Sequence, residues 1–323
     1  MAEYKRQRYL FMTLDPVHIG AGGYHLGRVD LSIVREPGTR VPKIPGASLH
    51  GAARSYAAQL YENPEAAGQS QENVADPDRD PVCYTFGYIK KSKQEETKAY
   101  SGVVSIFDAH VLLFPVYSMA GPVWVSTKAR LEEAGFTVSG VPNQWEQGRA
   151  ILSWDRKDPL NLGWLMLEVE GRADVDLPDQ WAGDKFWDDV RNRIVLVADS
   201  LFSHVVNSNL EVRTSVSIDP KTGAAEEGKL FTYEAIPRST FLTADIVLDD
   251  YRTGTKDRPF PVEKTAQANP LPGGKWEGPL DVVNAGLRMI EWLGVGGMGT
   301  RGFGRITIIG NPLEWEYGKE DQL

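Results

Sequence analysis

Asp30 stands at the junction of a glycine-rich loop, Val17-His18-Ile-Gly-Ala-Gly-Gly23, and a stretch that opens with Gly27-Arg28-Val29. A carboxylate at such a junction can position a divalent cation or accept the proton of an attacking hydroxyl, both of which serve phosphodiester cleavage. By residue type alone, a turn or cap residue is the simpler account of Asp30. His18 and His25 could form an acid–base pair, although no spacing fixes their mutual geometry. Ser48, His50 and Arg54 fall in Ile44-Pro-Gly-Ala-Ser48-Leu-His50-Gly-Ala-Ala-Arg54, at the start of a helical pattern where free amides favour phosphate. Positions 50 and 54 share a helix face, and Ser48 can cap the helix or donate to phosphate. An amphipathic helix with a capped start and a solvated polar face explains the same residues.

A second candidate segment is Gly294 to Gly304, in which six of eleven residues are Gly and Thr300 and Arg301 sit among them. Gly294-Val-Gly296-Gly-Met-Gly299 satisfies G-x-G-x-x-G, but a dinucleotide fingerprint follows a strand and opens a helix. Here a helical pattern precedes and a strand follows, so no helix N-terminus faces a pyrophosphate, which argues against a nicotinamide or flavin enzyme. The glycines permit close backbone approach to a ligand or unusual dihedrals, and tight turns alone are the plainer account.

Positioning these residues requires a mixed set of elements. Strands are expected at Tyr9–Leu14, Val29–Arg35, Val103–Phe114 (ended by Pro115), Trp164–Val169, Ile194–Val197, Phe241–Leu248 and Ile306–Ile309. The helix after Pro45 carries Leu49, Ala52, Ala53, Tyr56, Ala57 and Leu60 at helical spacing, and a second carries Leu280, Val283, Leu287 and Ile290 until Gly294. A short helix spans Leu201–Val206 behind an Asp199-Ser200 cap. Residues 211–234 read as an extended hairpin with its turn at Asp219-Pro-Lys-Thr-Gly223. Residues 62–81 and 249–278 are rich in Pro, Gly and charge and are expected as insertions or mobile loops, and no internal repeat is evident. The pattern is α+β, taken as a single domain over 1–323.

Composition narrows the partners. In 323 residues, 41% hydrophobic and 24% charged content suits a globular chain. The balance of 35 Lys+Arg against 44 Asp+Glu gives −9, so any nucleic-acid surface must be local. One cysteine, Cys83, excludes an internal disulfide and a multi-cysteine zinc site. The N-terminal residues lack the apolar run of a signal peptide, and no membrane-spanning stretch occurs, so a cytoplasmic protein without a membrane partner is expected.

Taken in order, Thr13-Leu-Asp-Pro-Val-His18-Ile-Gly-Ala-Gly, Gly27-Arg-Val-Asp30, Ile44 to Arg54 and the terminal glycine-rich segment resemble the RAMP superfamily of CRISPR-Cas proteins. Phe107-Asp-Ala109, Phe114-Pro-Val-Tyr-Ser118, Gly121-Pro-Val-Trp124 and the 211–234 arm are similar to the backbone-subunit family of type III-B (Cmr) effectors. The related Csm backbone family shares the early motifs but is usually shorter, and stands second.

That resemblance implies a ferredoxin-like, RNA-recognition-type palm with insertions and an extended β-hairpin thumb at 211–234. It implies copies stacked along CRISPR RNA with other type III effector subunits, cutting complementary target RNA at regular intervals where the thumb distorts it. Asp30 matches the family's acidic residue for cleavage dependent on a divalent metal, Mg or Mn, with direct coordination by Asp30 left open. Ser48, His50 and Arg54 fall in the guide-binding helix, Thr300 and Arg301 in the RNA-facing glycine loop, and His18 in an RNA-proximal motif. Relatives commonly carry Lys where His50 stands, so guide binding here is expected to lean on backbone amides and Arg54. Two other functions stay open: a non-catalytic guide-binding scaffold, and a precursor-processing ribonuclease using His18 or His25.

Overall fold

The run Tyr9-Leu-Phe-Met12 is apolar at every position, so a strand there must be covered on both faces. In the computed structural model, which describes residues 3–22, 29–68, 70–90, 98–142, 146, 148–183, 185–263 and 274–319, this is what the strand Glu3–Thr13 does. Tyr9 and Phe11 enter a core beneath the helices Gly46–Leu60 and Pro279–Arg288. Leu10 and Met12 enter a second core with Leu131, Phe136, Trp181 and Trp187 on the opposite face.

Glu3–Thr13 lies antiparallel between Phe241–Asp250 and Ile306–Glu316, and Ala109–Ser118 pairs with the far side of Phe241–Asp250. Gly121–Ser126 then folds back on Ala109–Ser118, and Ile194–Leu196, Arg149–Leu152, Leu165–Arg172 and Leu160–Leu162 extend the mixed, eleven-stranded sheet to its edge. The molecule is thus a mixed α/β fold with one large sheet between two layers.

The two helices on the first face pack closely because the facing residues are small. A Cβ added at Gly286 would lie 2.1 Å from the Ala53 carbonyl oxygen. Gly286→Ala is expected to push the helices apart and lower stability by about 2–3 kcal/mol through overpacking, which thermal unfolding would register. A change below about 0.5 kcal/mol would show that the crossing relaxes freely.

Several expected boundaries move. The expected 103–114 strand is two pieces, Val104–Ile106 and Ala109–Ser118, and the second runs through Pro115. Pro115 is tolerated because pairing with Phe241–Asp250 ends at Leu113, so its missing N–H breaks no ladder bond there. Phe107 and Asp108 interrupt the strand because Asp108 turns out to bind the helix start at Gly46 (2.7 Å) and Lys43. The expected 29–35 strand is reduced to isolated bridges at Leu31, Ile33 and Arg35. Within 62–81 the described residues include two short 3-10 turns, Pro64–Ala66 and Ser70–Asn73, Ala66 and Val74 are buried, and Asp80 caps the helix Pro81–Phe86 by accepting from the Val82 and Cys83 amides. Of the 249–278 segment, Asp249 and Asp250 complete a strand and Trp276 is buried against Tyr61, while 264–273 lies outside the described residues.

Candidate nucleic-acid interface

The arm is a two-stranded hairpin, Glu211–Ile218 with Ala225–Ala235, pairing Glu211 with Ala235 and Val216 with Leu230. Its turn is built by Asp219, whose Oδ1 accepts from the Lys221 amide and Oδ2 from the Thr222 hydroxyl. Gly223 follows at φ +68°, where a side chain would be strained. At the base, Tyr233 and Phe303 are buried edge to face at 5.5 Å, with Leu31, Phe231 and Met298 around them. Arg213 covers the Phe303 ring, and Arg301 reaches Ser215 Oγ at 3.3 Å.

Asp30 is exposed and attached to this arm. Its Oδ2 accepts from the Thr232 amide (2.7 Å) and the Thr232 hydroxyl (2.9 Å), and its own amide donates back to Thr232 Oγ1. These donors hold the carboxyl below its ordinary range. A carboxylate so stabilised is a poor proton acceptor. Among the described residues no group of three or more His, Cys, Asp or Glu could hold a metal ion. The donor set suits a hard cation shared between one carboxylate, water and substrate phosphate, in the manner of Mg, and not an ion caged by protein alone.

One step further in, Glu234 binds the chain that follows Asp30. Its carboxylate receives the Arg35 guanidinium at 2.6 and 2.8 Å and the Ile33 amide at 2.8 Å. The Glu234 carbonyl accepts from His18 Nδ1 at 2.7 Å, which fixes Nδ1 as the protonated nitrogen. His18 is buried, edge on to Tyr233, and its carbonyl accepts from Gly297. A Cβ at Gly296 would lie 2.6 Å from that carbonyl, so the glycines let the loop lie directly on His18. His18 is therefore a strut between arm and loop, whereas the resemblance placed it near RNA. His25, Gly27 and Arg28 lie outside the described residues.

The glycine loop also closes one side of a groove against the helix Gly46–Leu60, lined by Ser48, Gly51, Gly294, Gly296 and Gly299. Tyr56 donates from its hydroxyl to the Gly294 carbonyl and sets the spacing. The loop runs from the helical turn Ile290–Leu293 to the strand at Ile306, so no helix N-terminus opens after it. Thr300 and Arg301 are exposed on its short turn Gly299–Arg301.

His50 and Arg54 face elsewhere. His50 stands edge on to Phe86 at 5.1 Å, and burial together with Arg54 pushes its imidazole pKa down, which keeps it neutral. Arg54 donates to the Ala66 carbonyl at 2.8 Å and is itself partly desolvated. Arg54 thus anchors the 62–81 segment, contrary to the expectation that it leads phosphate binding. The helix cap is Pro45, not Ser48, and the Gly46 amide is already taken by Asp108. Ser48 remains at the groove, separated from His50 by about 200° of helix rotation.

The structure therefore gathers Asp30, His18 and Arg301 at the arm's base, puts Ser48 across the glycine loop from them, and separates His50 and Arg54. Thr232, Glu234, Arg35 and Asp108 escaped sequence reasoning. The one available signal was the position of Thr232 and Glu234, on a strand of alternating pattern opposite the arm's turn.

Comparison with known proteins agrees with the fold. The chain is 27% identical over 252 residues to the CRISPR system Cmr endoribonuclease Cmr4 of Pyrococcus furiosus, covering 73% of this chain and 79% of that one. It superposes on a chain of the cryo-EM structure of the type III-B Cmr-beta bound to cognate target RNA with TM-score 0.61 at 15% identity, covering 94% and 96% of the two chains. The crystal structure of oligomeric Cmr4 from Pyrococcus furiosus gives TM-score 0.52 at 21% identity, covering 96% and 98%. The RAMP superfamily model matches residues 10–307, a stretch that holds both helices, the arm, the glycine loop and all of the sheet except most of its first and last strands, and the chain belongs to that superfamily.

Proposed function

We propose that this chain is the backbone subunit of a type III-B CRISPR RNA-guided effector, which binds CRISPR RNA and cuts complementary target RNA at regular intervals through Asp30. The observation that carries the reading is the attachment of an exposed carboxylate, Asp30, to the base of a protruding hairpin through Thr232. The likeness to a named Cmr endoribonuclease and to a Cmr-beta chain supports it. Further copies of the chain, other type III subunits, CRISPR RNA and target RNA are its partners. Cytoplasmic location follows from that role, and no helix among the described residues is long and apolar enough to cross a membrane.

The palm reads as ferredoxin-like. Strand Glu3–Thr13, helix Gly46–Leu60, strands Ala109–Ser118 and Phe241–Asp250, helix Pro279–Arg288 and strand Ile306–Glu316 follow a strand–helix–strand–strand–helix–strand order, and Glu3–Thr13 and Phe241–Asp250 are the inner pair. The guide strand occupies the groove of Ser48 and the glycine loop, where small residues admit a sugar–phosphate backbone. Arg301 and Thr300 flank it from the arm side.

Cleavage needs the 2′-hydroxyl, the phosphorus and the leaving oxygen in line, which the thumb imposes by displacing a base. A divalent ion, Mg or Mn, held by Asp30 would supply charge stabilisation at the scissile phosphate. Asp30 itself stays anionic and fixed in direction by Thr232. His18, engaged at Nδ1 and buried, is poorly placed for the acid–base work of a precursor-processing ribonuclease.

The test is reconstitution with guide RNA and the other subunits, followed by incubation with end-labelled complementary RNA. Wild type is expected to yield evenly spaced fragments and Asp30→Ala none, with assembly and target binding intact. Unchanged fragments from Asp30→Ala would reject the catalytic assignment, and no cleavage by wild type would leave the guide-binding scaffold as the function.

A further inference from the structure

Asp30 is held chiefly by contacts from outside its own segment. Its carboxylate accepts hydrogen bonds from the amide and the hydroxyl of Thr232, and Thr232 belongs to the second strand of the thumb. The contact is reciprocal, since the Asp30 amide donates to the same hydroxyl that donates to Asp30 Oδ2. Two further backbone bonds, Leu31 N to Thr232 O at 3.0 Å and Glu234 N to Leu31 O at 3.2 Å, continue the pairing inward. A displacement of this strand therefore carries the carboxylate with it.

Thr232 also has a definite place on the hairpin. It pairs with Thr214, and the next pair toward the tip with side chains on the same face is Val216 with Leu230, both exposed. The separation is two residues, or about 7 Å along a strand. The same strand thus presents an apolar pair toward whatever the hairpin penetrates and, one pleat back, the hydroxyl that aims Asp30.

From this geometry we propose that Thr232 is a positioning residue for cleavage, coupling the seating of the thumb to the direction of the Asp30 carboxylate. The proposal rests on the reading of Asp30 as the cleaving residue. It adds that the carboxylate is set by the thumb, and that cleavage occurs only where a thumb is seated because one side chain joins the two. Asp30 Oδ2 is occupied by Thr232, which leaves Oδ1 as the oxygen that faces the substrate or a cation. A threonine can do this where valine, of the same shape, cannot: the hydroxyl donates to the carboxylate while accepting from the amide. The backbone amide of Thr232 persists in every variant, so the hairpin register is kept and only the side-chain half of the contact is removed.

The experiment compares wild type, Thr232→Val, Thr232→Ser and Asp30→Ala in the assembled, guide-loaded complex, measuring both target affinity and single-turnover cleavage. Thr232→Val is expected to slow cleavage on the order of ten- to a hundredfold, the scale of a small misplacement of a reacting group, with target affinity within about twofold of wild type. Thr232→Ser, which restores the hydroxyl, is expected to recover most of the rate. A Thr232→Val rate within twofold of wild type, with Asp30→Ala inactive, would overturn the positioning role and leave Asp30 standing. An equal loss in Val and Ser would overturn it as well, since the methyl and not the hydroxyl would then matter. Normal cleavage by Asp30→Ala would instead remove the reading of Asp30 itself.

Discussion

Asp30→Asn, in the assembled complex, is expected to slow cleavage by roughly a hundred- to a thousandfold while leaving guide and target binding unchanged, the loss typical of removing one group that stabilises developing charge. The substitution is chosen because it changes so little else. Asparagine has the shape of aspartate and can still accept from the Thr232 amide and hydroxyl through its carbonyl oxygen, so the seat at the base of the thumb is retained. What it removes is the negative charge. If Asp30 served only to fasten the chain to the arm, Asn would cleave like wild type. If the charge holds a cation against the phosphate, Asn should fail nearly as badly as Ala. Single-turnover rates at saturating divalent ion separate the two outcomes. Because Thr232 holds the Asp30 carboxyl below its ordinary range, the group stays ionised at neutral pH, and the rate should show no loss between pH 8 and 6 attributable to its protonation.

Much of this was legible before the structure, and the rest was hidden for identifiable reasons. The hairpin arm was readable because strand patterning and a Pro-Lys-Thr-Gly turn are local signals, and Asp219 and Gly223 do there what turn chemistry requires. The two helices were readable because small and apolar residues recur at helical spacing, and Leu49, Ala53, Ala57, Val283 and Leu287 are all buried. Asp30 was picked out by its place after a glycine loop, but its partner lies 202 positions away, and no local pattern reports such a contact. The same holds for Asp108, which reads as a strand residue and instead holds the start of a helix 62 positions earlier. His50 and Arg54 failed for a different reason. Their shared face was read correctly, yet a shared face does not say whether solvent or another segment lies beyond it, and here Phe86 and Ala66 do. The rotation separating Ser48 from His50 was available from helix geometry alone and already excluded a single phosphate site using both. The continuation of a strand through Pro115 needed knowledge of where its neighbour's ladder stops.

Glu234→Ala is expected to be the most destabilising single change at this site, at about 3–5 kcal/mol, because it removes one partner of a buried ion pair and leaves the other uncompensated. Glu234 and Arg35 have side chains only 10% and 14% exposed, and the pair is doubly bonded. Truncation would strand the Arg35 guanidinium with only Asn207 and the Ile33 carbonyl, and would orphan the Ile33 amide. Glu234→Gln keeps an acceptor for that amide and should lose less, about 1–3 kcal/mol for a weakened hydrogen-bonded pair. The ordering Ala worse than Gln distinguishes loss of a charge clamp from loss of packing, which Gln would preserve almost fully. Thermal or denaturant unfolding of the isolated chain measures the total, and amide hydrogen exchange locates it. Faster exchange is expected at residues 30–35 and 231–236, with the sheet around Phe11 and Leu242 left protected. Glu234 sits between the strut at His18 and the carboxylate seat at Thr232, so its loss should uncouple the arm, the glycine loop and Asp30 together. A uniform rise in exchange across the sheet, or a stability change under 1 kcal/mol, would show that the arm is held by its aromatic base of Tyr233 and Phe303 and not by this pair.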